Sequence, residues 1–370
     1  MTMPSLCPRP LVTLLLLTLA FSGMARAAEL AIAPALSSEE SARINNSARG
    51  LAGLHAGGDA PWESTSFWKN YQQEINGHWS YLERVRLGSM RSWAGAELGS
   101  VRSRVVFYPF SGPDVLYADT LFPDSRVLIM AGLEPIGSLP DLAKLQDEGK
   151  LPAYLTEVQT SLYTILSASF FKTKDMKNDF NNDLVDGLLP AMAVFIARQG
   201  YSIEGLQYVS LGGDGTLHPR PSKAGANGVQ ITYGDGRTLL YFQTDLGNDG
   251  LKSNPGYISL MRELGPGVTY LKAASYLLYE DYFSIMRNGI LENSGAVVED
   301  DSGVPFKYFK PELWDVEPFG NYTGPIGLFH EHYQPDLTDY YAKTPHSPLP
   351  FGSGYKFVAS VSSLLVAKKK

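Results

Sequence analysis

Ionisable and hydroxyl side chains follow five apolar segments of this sequence, each where a strand is predicted to end. In chain order they are Ser111 and Asp114, then Glu134, then Asp245, then Lys272, and finally Asp300, Asp301 and Ser302; Gly112, between the first two, is a further candidate for ligand binding through its backbone. In an open α/β sheet, ligands bind beyond the carboxyl ends of the parallel strands. We therefore predict one cleft lined by Asp114, Glu134, Asp245 and at least one of Asp300 and Asp301, with Lys272 beside them. Turn formation is the competing use of Asp and Gly.

Crowded carboxylates at such an edge have two chemical uses. They raise one another's pKa, which suits general acid catalysis, or they bind a cation such as Mg²⁺ or Ca²⁺ that prefers oxygen ligands. Lys272 argues modestly against a metal, because its ammonium already supplies compensating charge. A small polar ligand is therefore the expected occupant, and the sequence specifies neither a cofactor nor a catalytic residue.

The turn FSGPD at 110–114 further restricts the class of ligand that the site could bind. Pro113 favours the first helical position and Ser111 or Gly112 can cap, so free backbone N–H groups should face the site. Asp114 lies in the same turn, however, and its charge disfavours a phosphate. Because the glycine repeat of a dinucleotide fingerprint is also missing, the turn favours a hydroxyl-rich ligand, an amine or a divalent cation.

The elements that position these residues alternate between strand and helix. Near-continuous apolar runs at 105–108 and 127–133 predict buried parallel strands around a short helix, and the same order recurs from 256 to 299. A Gly-Asp-Gly turn at 234–236 predicts an antiparallel hairpin. We predict an α/β domain over 101–310, with a mixed, mostly parallel sheet, flanking helices and a helical insert at 140–200.

The flanking segments have different patterns. Residues 1–27 read as a secretory signal, since Arg9 precedes an apolar run and Ala25-Arg26-Ala27 fits a cleavage site. Residues 28–60 are predicted to be a flexible arm, and 61–100 an aromatic amphipathic helical region. Residues 311–370, rich in Pro, Gly and Tyr, are predicted to form an irregular wrapping segment. The expected location is periplasmic or secreted.

Composition excludes several classes of function. Cys7 is the one cysteine and lies in the signal, which removes thiolate chemistry and cysteine-ligated zinc. The sequence has 31 basic and 38 acidic residues, a balance that argues against nucleic-acid binding. After signal removal no segment is long and apolar enough to predict a membrane span. His330-Glu331-His332 lacks the helical spacing of a zincin, so no metal site is predicted.

Two resemblances extend this reading. The strand, turn, helix and acid-tipped strand over 103–135 resemble the opening of the class I methyltransferase fold. That resemblance implies roles for Asp114 and Glu134 toward S-adenosylmethionine, although YPFSGPD lacks the glycine repeat and that cofactor is cytoplasmic. Over a longer span the motifs YPFSGPDxLYA, GLEPxG and DDSGxP resemble a family of exported bacterial proteins, which implies export and carries no activity.

Three functional hypotheses remain open at this stage. The first is a small-ligand site at the acidic sheet edge, catalytic or not. The second is a non-enzymatic envelope binding or interaction protein, suggested by the aromatic helical region and the Pro/Tyr-rich carboxyl segment. The third is a methyltransferase-like fold without methyltransferase activity. Acids that share a cleft favour an enzyme, whereas scattered acids with a broad exposed aromatic patch favour binding.

Overall fold

The structure is a computed structural model that describes residues 33–57, 60–167 and 185–370. The predicted signal at 1–27 and part of the predicted helical insert, 168–184, lie outside the described residues. None of the described helices has the length and apolar character required to cross a membrane.

A mixed sheet of ten strands organises the described chain. The strands are β1 Val105–Tyr108, β2 Val127–Gly132, β3 Ile203–Leu211, β4 Leu217–Arg220, β5 Gly228–Tyr233, β6 Arg237–Gln243, β7 Gly267–Leu271, β8 Ser294–Glu299, β9 Trp314–Gly320 and β10 Ser363–Lys369. Their order across the sheet is β4-β3-β5-β6-β2-β1-β7-β8-β10-β9. The five central strands, β6 to β8 in that order, run parallel, while both flanks are antiparallel.

Helices cover both faces of this sheet. They are α1 Ser38–Leu51, α2 Ser66–Leu82, α3 Gly88–Glu97, α4 Val115–Leu121, α5 Leu142–Asp147, α6 Leu151–Ser167, α7 Leu189–Arg198, α8 Asn248–Ser253, α9 Gly256–Leu264, α10 Ser284–Asn293 and α11 Pro335–Lys343. A π-helical turn, Glu83–Leu87, joins α2 to α3. The predicted α/β class, with its mostly parallel central sheet, is confirmed.

Alternate side chains of β1 enter two separate hydrophobic cores. Val106 and Tyr108 pack with α4 and the amino-terminal helices, whereas Val105 and Phe107 pack with α9 and α10. Such two-sided burial explains why the strand reads as one unbroken apolar run. The chain passes from β1 through α4 to β2 on one side, and from β7 through α10 to β8 on the other. The boundary between β1 and β7 is therefore the topological switch point of the sheet.

Two segments are more regular than their sequence pattern indicates. In place of a flexible arm, residues 38–51 form α1, which begins with a capping box between Ser37 and Glu40 and buries Ile44 and Leu51. The carboxyl-terminal segment contributes β9 and β10 to the sheet, with a long connection over 321–362. The hydroxyl of Tyr341 in α11 donates to backbone carbonyls of both strands, which fixes the helix against them.

Candidate functional site

The exits of four adjacent parallel strands surround a small cavity at the switch point, here called the switch-point pocket. Its volume is about 110 Å³. It lies at the carboxyl edge of the sheet, where ligands bind in open α/β folds. The lining comprises Phe110 and Gly112 after β1, Gly132, Leu133 and Glu134 at the end of β2, Thr244, Asp245 and Leu246 after β6, Ala273, Ala274 and Ser275 after β7, and Leu277 and Phe283.

Two carboxylates belong to this lining. Glu134 is 4% exposed, while Asp245 is exposed and accepts a hydrogen bond from the backbone N–H of Gly247 at 2.8 Å. A Cβ added at Gly132 would stand 2.6 Å from Oε2 of Glu134, so glycine is what lets the carboxylate lie against the strand end. The backbone carbonyl of Glu134 is held by the Tyr241 hydroxyl at 2.8 Å. One acid is thus fixed in the wall and the other stands at the opening.

The loops around the pocket contain unusual backbone. Phe110, Ala273, Ser275 and Tyr276 all have left-handed φ angles, between 52° and 60°, and none is glycine. The only other non-glycine residue of this kind in the described chain is Asp235, in the β5–β6 hairpin. Left-handed backbone costs energy for residues with a Cβ, and such residues gather at functional sites when surrounding contacts hold them.

Those contacts come from the loop after β8. One oxygen of Asp300 accepts from the N–H of Ala273 at 2.8 Å, and the other accepts from the N–H and hydroxyl of Ser302. The Ser302 hydroxyl in turn accepts from the N–H of Ala274 at 2.8 Å. Burial and the neighbouring Asp301 charge raise the pKa of Asp300 to about 6. Asp300 and Ser302 thus support the loop that lines the pocket, and neither lines it directly.

A buried ion pair ties together the two loops at the switch point. The Nζ of Lys272 is 2.5 Å from Oδ2 of Asp114, and both side chains are 2% exposed. The Tyr108 hydroxyl donates to the same oxygen at 2.8 Å, and the N–H of Tyr117 donates to the other at 3.3 Å. Burial raises the pKa of Asp114 and lowers the pKa of Lys272, each against the charge of its partner. Asp114 therefore caps α4 and anchors the end of β7.

Asp301 faces away from this pair. Its carboxylate accepts from the Tyr276 hydroxyl at 2.8 Å and lies 3.4 Å from Nζ of Lys356. Burial raises the pKa of Asp301 against that ammonium. Ring contacts continue outward, since Tyr276 stacks on His332 with ring centroids 5.1 Å apart. Asp301 thus holds the carboxyl-terminal segment against the loop after β7.

The predicted residues therefore divide into two groups. Gly112, Glu134 and Asp245 line the switch-point pocket. Asp114, Lys272, Asp300, Asp301 and Ser302 make the internal contacts described above, and the hydroxyl of Ser111 is satisfied by the carbonyls of Gly112 and Ala131. The structure brings Glu134 and Asp245 together in one cavity, while the carboxylates of Asp114, Asp300 and Asp301 contact Lys272, Lys356 and backbone N–H groups in the interior.

The aromatic part of the lining was not predicted from the sequence. The rings of Phe110 and Phe283 meet edge to face with centroids 5.8 Å apart. Phe283 lies just before α10, where its position relative to β1 depends on the crossover between β7 and β8. Phe110 stands inside the FSGPD turn, and its adjacency to the predicted site was the one available signal.

A larger cavity, of about 270 Å³, lies elsewhere, against α3 and the turn after α4. Its most buried charge is Asp119, which Arg237 contacts at 2.6 Å and the Tyr233 hydroxyl at 2.8 Å. At its margin Arg102 pairs with Asp124 at 3.1 Å. Because of its size, this cavity is a competing candidate for the functional site. The switch-point pocket is the better candidate because four strand exits and the left-handed backbone converge on it.

Within the described residues, no group of three His, Cys, Asp or Glu side chains is arranged to hold a metal ion. Comparison of the chain with protein-family models, with curated proteins and with solved structures finds no match. The geometry of the site is therefore the basis for any functional assignment.

Proposed function

We propose that this protein is exported and binds a small cationic or hydroxyl-bearing ligand in the switch-point pocket. The observation that carries the proposal is the cavity itself, which stands at the switch point of the parallel sheet with Glu134 in its wall and Asp245 at its opening. Among the residues that the structure describes, the lining holds two carboxylates and no basic side chain, which disfavours anions and favours a cation or a hydroxyl donor. The proposal is for binding, and it assigns no reaction.

Thermal melting of the mature protein against amines, sugars, nucleosides and divalent ions tests this proposal. A stabilising compound should lose its effect in Glu134→Gln and Asp245→Asn, because each removes a charge of the lining. Asp249→Asn is the matched control, since this exposed acid of α8 lies outside the pocket. A stabilising compound whose effect survives both pocket substitutions contradicts the proposal, as does a panel in which nothing shifts the melting temperature.

The methyltransferase resemblance contributes to this proposal at the level of fold. The parallel strands β6-β2-β1-β7-β8, with the antiparallel β10 beside β8, support that resemblance. The volume of about 110 Å³ is well below the roughly 300 Å³ at which pockets for drug-sized ligands begin, so it would not enclose S-adenosylmethionine. The carboxylate of Asp114, which the resemblance assigns to the cofactor, is also paired with the ammonium of Lys272. These observations support a methyltransferase-like fold that has lost, or never had, that activity.

An interaction role is the second candidate. Its support is the 321–362 connection, where Leu328 is 76%, Val358 52% and Phe357 48% exposed. Exposed apolar side chains are characteristic of protein or membrane contacts when they cluster. This candidate predicts that Leu328→Ser and Phe357→Ser reduce retention of the protein on isolated envelope fractions, whereas Asp245→Asn does not. Unchanged retention in both serine variants contradicts it.

A further inference from the structure

The switch-point pocket combines acidic and aromatic side chains in a way that selects among cations. Phe110 and Phe283 form a corner, with ring planes at 72° and centroids 5.8 Å apart. The carboxyl residues Glu134 and Asp245 line the same cavity. A cation within about 6 Å of an aromatic centroid is attracted by the ring face, more strongly when water is displaced.

The remaining wall is poor in hydrogen-bonding side chains. Within the described part of the lining, Thr244 and Ser275 bring side-chain oxygens besides the two acids, and the other residues are apolar or glycine. A Ca²⁺ ion takes six to eight oxygen ligands and a sugar needs a partner for each hydroxyl, so both are poorly served. A primary ammonium must satisfy three N–H donors. A fully alkylated ammonium has none to satisfy and presents methyl groups to apolar walls.

The volume agrees with such a group. A cavity of about 150 Å³ accommodates benzene, which has six non-hydrogen atoms. By proportion, the 110 Å³ of the pocket accommodates about four or five non-hydrogen atoms. A trimethylammonium head with its first methylene carbon has that size.

The opening provides a place for the remainder of such a ligand. Leu133 lines the pocket and is 53% exposed, and Tyr282, beside Phe283, is 47% exposed. The Tyr282 and Phe283 rings are in contact, with centroids 5.3 Å apart. An apolar or flat substituent on the head group can therefore leave the pocket along this rim.

We infer that the switch-point pocket binds a quaternary ammonium head group, with its methyl groups in the Phe110–Phe283 corner and its charge balanced by Glu134 and Asp245. This inference rests on the proposed function and specifies its ligand class. The pocket should therefore bind a charged head group more tightly than an uncharged one of the same shape, because the carboxylates and the ring faces both attract positive charge.

Isothermal titration with choline tests the inference, with 3,3-dimethyl-1-butanol as the neutral isostere that replaces nitrogen by carbon. We expect choline to bind at least tenfold more tightly than the isostere. Phe283→Leu should weaken choline binding about fivefold through loss of the ring. Asp245→Asn should weaken it at least threefold, and because Asp245 is exposed this variant should fold even if Glu134→Gln does not.

Two control variants keep the lining intact. Asp249→Asn removes an exposed acid of α8, and Gly95→Leu adds a side chain to a residue that lines the larger cavity, where an added Cβ meets nothing within 4 Å. Both should bind choline within twofold of the unaltered protein. Equal binding of choline and its isostere, or full affinity in Phe283→Leu, overturns the inference.

The panel of compounds separates this inference from the proposed function. If ribose, glycerol or adenosine binds in a manner sensitive to Asp245→Asn while choline does not, the pocket is a ligand site and the quaternary ammonium assignment is wrong. If no compound binds, both fail. If choline binding is lost in Gly95→Leu and kept in Asp245→Asn, the ligand occupies the larger cavity and both fail.

Discussion

Replacement of Lys272 by methionine removes the charge partner of Asp114 beneath the switch-point pocket. The carboxylate is 2% exposed, and among the described residues it keeps the Tyr108 hydroxyl at 2.8 Å and the Tyr117 N–H at 3.3 Å as hydrogen-bond donors. Breaking a buried pair by removing one partner costs about 3–5 kcal/mol, because an uncompensated charge is left in the interior. We expect a loss of that size for Lys272→Met.

The melting temperature follows from the size of the chain. With an unfolding entropy of about 2.1 cal/mol/K per residue, roughly 330 folded residues give about 0.7 kcal/mol/K. The loss then corresponds to a fall of about 4–7 °C. Differential scanning calorimetry at neutral pH measures the fall, and Lys343→Met is the matched control because its pair with Asp339 is exposed on α11.

The double variant Asp114→Asn/Lys272→Met isolates the charge effect. Asparagine retains the N-cap acceptor for α4 and needs no ammonium, so the double variant should recover at least about 2 kcal/mol of the loss in Lys272→Met. A double variant no more stable than Lys272→Met would contradict a charge effect, because the cost would then arise from lost packing. A loss below about 1 kcal/mol in Lys272→Met refutes it as well.

Three further predictions follow from particular residues. Burial raises the pKa of Asp300 from 3.8 to about 6, which favours the protonated carboxyl in the folded protein. The stability that this protonated form contributes is complete below pH 4 and is lost as the pH rises through 6. Urea unfolding should show that Asp300→Asn flattens the stability profile by up to about 3 kcal/mol between pH 4 and 7, and superimposable profiles would contradict this. Gly95→Leu, in α3 with free space around its Cβ, should stabilise the protein by about 1 kcal/mol by calorimetry, and destabilisation would show that the position is not open. Intact-mass measurement of periplasmic protein should show that residues 1–27 are missing, and a retained Met1 would disprove the predicted signal.

The central strands were predictable because their burial is two-sided. Val105–Tyr108 and Val127–Gly132 are buried along nearly their whole length, and unbroken apolar runs carry that information locally. β9 was not predictable in the same way, since Asp315, Glu317 and Pro318 interrupt its apolar pattern at the sheet edge. The helix α1 is built mainly from Ser, Ala, Asn and charged residues, so its apolar face is narrow and its packing depends on distant partners.

The position of the acids at the carboxyl edge of the sheet was predictable from the sequence, whereas the direction in which each side chain points was not. The carboxyl ends of parallel strands place Asp114, Glu134 and Asp245 at one edge, as the sequence indicates. Whether each carboxylate faces the pocket or the interior depends on partners from other strands, such as Lys272 for Asp114. The left-handed φ of Phe110 is likewise fixed by its surroundings, because nothing local favours that conformation for phenylalanine.

A crystal structure of the mature protein with the tightest-binding compound of the panel shows directly where the ligand binds. We expect the compound in the switch-point pocket, in contact with Glu134 and the rings of Phe110 and Phe283. A compound bound instead in the larger cavity beside Arg102 and Asp124, or on the exposed 321–362 connection, would contradict this expectation.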